Sequence, residues 1–105
     1  MAALPREVEQ KIRKYLDALR ENNINIQRAV VFGSFARGTY DEWSDIDIAI
    51  VSDIFIGDRI ADKSKVRRIT LQIGSDIELA PFAPADFNED NPFVKEILLT
   101  GIEIK

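Results

Sequence analysis

The chain has no histidine and no cysteine among its 105 residues. Those two absences exclude imidazole bases, thiolate nucleophiles, disulfides and the usual zinc sites together. No apolar run comes near the roughly 20 residues that cross a bilayer. The start, Met-Ala-Ala-Leu-Pro-Arg, carries no signal-peptide pattern, so a cytoplasmic location is expected. Basic residues are the minority, 14 against 18 acidic, for a net charge of -4. That balance argues against broad binding to nucleic-acid backbones, where a basic footprint is expected. What remains for chemistry is carboxylates, hydroxyls, amines and backbone amides. Apolar residues at 46% and charged residues at 30% give an ordinary globular balance, and the length suits one domain, residues 1–105, with a single core.

One stretch organises the rest. An apolar run, Ala29-Val30-Val31-Phe32, stops at Gly33-Ser34, a short polar segment follows, and Asp45 and Asp47 open a second apolar run ending at Val51. This reads as strand, glycine turn with one helical turn, then strand. Alternation along the second strand puts Asp45 and Asp47 on one face and Ile46, Ile48 and Ile50 on the other. Two carboxylates side by side at the start of a buried strand are costly unless a positive group sits between them. A divalent cation is the usual answer, and the palette of oxygen donors suits a hard ion such as Mg2+. Glycine after a buried strand permits an unusual backbone angle, and exposed N–H groups at a helix start can cradle phosphate.

The flanking segments read more simply. Leu4, Val8, Ile12, Tyr15, Leu16 and Leu19 form one apolar stripe on a helix from about Pro5 to Glu21, punctuated by Asn22-Asn23. Ile24 and Ile26 lead into the strand ending at Phe32. Ile54-Phe55-Ile56 reads as a loop covering the core. A single helix is expected from Asp58 to about Ile73, with Ile60, Val66, Ile69 and Ile73 inward, although Ile69-Leu71-Ile73 alternates like a strand. Arg59, Lys63 and Arg67 line one side of that helix, and a solvated face paired with Asp58 and Asp62 is expected there ahead of a phosphate or partner contact. Asn91-Pro92 caps a helix with Phe93, Val94, Ile97 and Leu98 inward. Gly101 ends it, and Ile102 and Ile104 form a short final strand. The expected architecture is a small mixed sheet with helices mainly on one side.

The spacing G-S-x10-D-x-D between two strands resembles the nucleotidyltransferase superfamily that shares its fold with the palm of DNA polymerase beta. The short length is similar to that of its minimal members. The family pattern requires a third carboxylate between hydrophobic residues on a neighbouring strand, and Ile77-Glu78-Leu79 supplies one. Asp76 is the competitor. Glu78 is preferred because apolar residues flank it on both sides and it lies deeper in the strand. The ending from Pro81 to Ile104 also looks like the tail of these small proteins.

The resemblance implies that Asp45, Asp47 and Glu78 are the catalytic acids and hold two Mg2+ ions, with Glu78 a candidate base. It implies that Gly33 and Ser34 hold the β- and γ-phosphates of ATP, with help from Arg37. For Tyr40 and Trp43, packing over the connecting loop is expected ahead of edging the nucleotide cleft. It further implies a partner of the HEPN type, a helical RNase toxin, with transfer of AMP to a tyrosine of that toxin and this chain as the antitoxin. Direct polynucleotide or membrane binding is not expected. Two other readings stand beside it: a non-catalytic module that neutralises a partner by covering it, and an enzyme acting on a small molecule such as an aminoglycoside.

Overall fold

The computed structural model describes residues 4–104. Residues 1–3 and 105, the ends of the expected domain, lie outside them. Helix α1 (Arg6–Glu21) begins after Pro5 and ends at Asn22. Asn23, in the left-handed region at φ 65°, turns the chain into strand β1 (Ile26–Phe32). A five-residue helix, α2 (Gly33–Arg37), connects through a polar loop to β2 (Ile46–Ser52). Helices α3 (Arg59–Lys65) and α4 (Arg67–Ile73) lead to β3 (Ile77–Phe82). A 3-10 turn at Pro84–Asp86, helix α5 (Pro92–Thr100) and strand β4 (Ile102–Ile104) complete the chain.

The four strands form one mixed sheet in the order β3-β2-β1-β4, with β2 and β3 parallel and the other neighbours antiparallel. Strand alternation gives the sheet two apolar faces. On one, Ala29, Val31, Ile46, Ile48, Ile50, Ile77 and Leu79 pack with Ile12, Tyr15, Leu16 and Leu19 of α1 and Ile69 of α4. On the other, Val30, Ala49, Val51, Ala80 and Phe82 pack with Val94 and Ile97 of α5. Helices α1 and α4 on one face against α5 on the other give the expected asymmetry. The stripe on α1 is buried as its spacing requires. Asn91 accepts from the Phe93 N–H at 2.9 Å to start α5, and Pro92 occupies the first helical position, where a missing N–H costs nothing.

The segment from Asp58 to Ile73 departs from expectation. It is helical throughout rather than partly strand, but it breaks at Val66 (φ −118°, ψ 9°), whose side chain is buried. The break re-aims the chain so that Val66 and Ile69 both reach the core while α3 lies along the edge strand β3. Ile60, expected inward, is 81% exposed. In its place Asp62 is fully buried and accepts from the Ile56 N–H (3.0 Å), the Gly57 N–H (2.9 Å) and Lys65 (3.1 Å). A buried charge is tolerated only with such a complete set of partners. The preceding loop behaves as read at Phe55, which is buried, whereas Ile56 points to solvent.

Candidate active site

The acids come together because β2 and β3 run parallel and begin at the same level. The Ile46 N–H donates to the Asp76 carbonyl at 2.7 Å, and from there the register pairs Asp47 with Glu78. On its other side Asp47 pairs with Phe32, the last residue of β1. Asp45 precedes β2 by one residue, on the loop closed by Asp41, which accepts from the Trp43 N–H at 2.8 Å. Asp47 therefore lies between Asp45, Glu78 and the Gly33 turn.

Gly33 has two reasons to be glycine. Its φ is +72°, a conformation that costs L-residues, and a Cβ there would collide with the Asp47 carboxylate. The strand-to-helix turn is thus pressed directly against the acid. Helix α2 starts at this turn with no side chain capping its first N–H groups, and it ends at Gly38 (φ 77°). Ser34 is half-buried next to the turn, and Arg37 at the end of α2 is exposed.

The electrostatics agree with this crowding. Burial pushes the Asp47 carboxyl above its ordinary value, the charges of Asp45 and Glu78 push it further, and Arg37 partly offsets them. Gly33, Asp45, Asp47, Glu78 and Arg37 therefore occupy one site. Asp76 is drawn away from it. Its carboxylate binds Lys11 of α1 at 3.0 and 3.1 Å, and it lies in the turn before β3.

Glu78 has a partner that sequence reasoning missed. Lys63 of α3 donates to its Oε1 at 2.9 Å. The expected pairing of the Arg59-Lys63-Arg67 stripe with Asp58 and Asp62 does not form. Asp58 is occupied as the N-cap of α3, accepting from Ile60 and Ala61, and Asp62 is turned inward. Neither Arg59 nor Arg67 has an ion-pair partner among the described residues. The four-residue spacing of the stripe was the available signal, but not its target 15 residues away.

The donor chemistry of Asp45, Asp47 and Glu78, all carboxylate oxygen, fits a hard divalent cation. The half-buried setting of Asp47, with the charges of Asp45 and Glu78 beside it, fits it too. As they stand, however, no three acids among the described residues are grouped closely enough to enclose an ion, and one oxygen of Glu78 is engaged by Lys63. A cleft of about 570 Å³ opens toward the end of β3, lined by Ala80, Phe82, Phe93, Asn91 and Arg59, whereas Glu78 and Lys63 line a separate one of about 350 Å³ with Arg67 and Leu71. Tyr40 stacks on Phe35, ring centroids 4.6 Å apart, as loop packing requires. Trp43 does not pack and is 84% exposed.

The model of the nucleotidyltransferase domain family matches residues 12–100. The chain belongs to that family. Two curated proteins of Methanocaldococcus jannaschii, both named "putative protein adenylyltransferase", are similar to it. The first is 45% identical over 47 residues, 44% of this chain and 47% of the relative. The second is 26% identical over 100 residues, 93% of this chain and 96% of the relative. The match thus spans about half of the first relative and nearly all of the second.

Solved structures share the fold. A toxin–antitoxin structure with AMP-PNP superposes with a TM-score of 0.61 at 24% identity, covering 90% of this chain and 70% of the other. A nucleotidyltransferase structure from Sulfolobus solfataricus, itself named as putative, gives 0.59 at 23% identity, covering 98% and 89%.

Proposed function

We propose that this nucleotidyltransferase-domain protein transfers AMP from ATP to a hydroxyl of a partner protein, a tyrosine of a HEPN-type RNase toxin, and so acts as an antitoxin. The observation that carries the reaction class is the Asp47–Glu78 register beside Gly33, a glycine that the Asp47 carboxylate itself requires. The names of the two Methanocaldococcus jannaschii relatives support a protein acceptor, and the toxin–antitoxin neighbour with AMP-PNP supports the partner and the nucleotide.

In this reaction the acceptor oxygen attacks the α-phosphorus, the bond from that phosphorus to the β-phosphate oxygen breaks, and pyrophosphate leaves. Gly33 offers its turn N–H and Ser34 its hydroxyl to the β- and γ-phosphates, and Arg37 adds positive charge at the end of α2. Asp45, Asp47 and Glu78 would hold two Mg2+ ions, which when bound supply Lewis-acid stabilisation of the attacking and leaving oxygens. Glu78, on the exposed edge of the sheet, accepts the proton of the acceptor hydroxyl. In a chain with no histidine a carboxylate is the natural proton acceptor.

The reaction is tested by incubating the chain with a co-expressed HEPN toxin and ATP labelled at the α-phosphate. Label on a toxin tyrosine, absent with Asp47→Asn, is expected. Neutralisation of the toxin that persists unaltered in Asp47→Asn with no label would favour the covering module instead.

A further inference from the structure

Three features of α3 stand outside the mechanism just given. Asp58 is used as a cap, Asp62 is sealed inside, and Lys65 is taken by Asp62 and by the Ile54 carbonyl at 2.6 Å. Lys63 thus has no acid left on its own helix. It reaches instead across to β3 and places its ammonium 2.9 Å from Oε1 of Glu78. Both partners remain partly exposed, with side-chain exposures of 38% and 52%, so the contact is reversible rather than locked in the core.

We propose that Lys63 is a positioning residue that occupies the third acid of the site and yields it to the divalent cation. This inference rests on the metal-dependent reading above. The site gathers three carboxylates, with Asp47 in register with Glu78 and Asp45 two residues before Asp47. Lys63 is the cation that pairs directly with one of them, Glu78. While Lys63 holds Oε1 of Glu78, that oxygen is not available to a divalent cation that Asp45 and Asp47 would hold. Lys63 therefore raises the ion concentration needed to complete the site, and it releases an ammonium next to the incoming triphosphate as it does so. A rival role is purely mechanical, with Lys63 pinning α3 to the edge strand. The two roles differ in what ion binding does when Lys63 is removed.

The test is a titration of the full chain with Mn2+ alone, a spectroscopic stand-in for Mg2+ with the same preference for oxygen ligands, followed by paramagnetic resonance or calorimetry. Lys63→Met removes a competitor and a nearby positive charge, and should lower the Mn2+ dissociation constant about five- to tenfold. Lys63→Arg keeps the charge and should hold the constant near that of the wild type. Thermal unfolding of each variant checks that α3 remains folded. An unchanged or higher dissociation constant for Lys63→Met, with binding still lost in Asp47→Asn, would overturn the proposal and leave the metal site standing. Absence of Mn2+ binding in the wild type and in Lys63→Met alike would overturn the metal-site reading and this inference with it.

Discussion

Asp47 and Asp62 are two carboxylates that face inward from neighbouring elements, and their surroundings push them in opposite directions. Burial alone would raise Asp62, but the Ile56 N–H, Lys65 and the Gly57 N–H outweigh it and hold the carboxyl below its ordinary value. Asp47 has no comparable donors among the described residues. Burial, Asp45 and Glu78 all raise it, and only the more distant charge of Arg37 opposes them. The more buried acid is thus the more comfortable one. Asp62 organises the loop ahead of α3, whereas Asp47 holds charge that the protein alone does not neutralise. An acid of the first kind contributes to the fold, and one of the second kind detracts from it, which is the usual mark of a candidate functional group.

Removing Asp62 should have the largest effect. Asp62→Ala strips the Ile56 and Gly57 N–H groups and Lys65 of their acceptor, and should cost about 2–3 kcal/mol in urea unfolding, because unsatisfied donors carry their desolvation penalty. Gly33→Ala comes next. Its left-handed backbone should cost about 1–2 kcal/mol, before the collision with Asp47 is counted. The same variant should lose AMP transfer, since relief of that collision displaces Asp47.

Asp47→Asn should do the reverse to stability, and thermal unfolding at pH 7 without metal should show it more stable than wild type. The sign follows from the raised carboxyl. Its ionisation costs the folded state more than the unfolded state, so the wild type loses stability as pH rises through the raised value. The advantage of the Asn variant should therefore vanish below the ordinary value of 3.8 and grow above it. Asp62→Asn should behave oppositely. Its cost should be complete above 3.8 and fade as pH falls through the lowered value of the native carboxyl. The smallest effect belongs to Trp43→Ala, which should change stability by no more than about 0.5 kcal/mol because the ring is almost wholly exposed.

The contrast between the two acids also shows what the sequence could reveal. The strand, glycine turn and acidic strand were legible because period-two alternation and a fixed gap survive in one dimension. The helix stripe of α1 was legible for the same reason. Asp76 and Glu78 share strand parity, so alternation did not distinguish them. What differs between them is a matter of pairing across strands: Glu78 lies in register with Asp47, whereas Asp76 sits in the turn before β3 against Lys11, 65 residues away. The exchange of Ile60 for Asp62 on α3 was illegible, because hydropathy assigns the isoleucine inward. Only the backbone donors of Ile56 and Gly57, brought close by the loop, make the aspartate the better core residue. Lys63 to Glu78 was out of reach for the same reason as Asp76, being a contact between elements.

Thermal unfolding of the wild type and Asp47→Asn with ATP, with and without Mg2+, is the decisive measurement for the nucleotide site. At about 100 times its dissociation constant a ligand adds roughly 2.7 kcal/mol, which is several degrees in a chain of this size. A shift that needs both ATP and Mg2+ and disappears in Asp47→Asn is the predicted result. A shift of equal size in Asp47→Asn, or one indifferent to Mg2+, would contradict a metal-dependent nucleotide site built on Asp47.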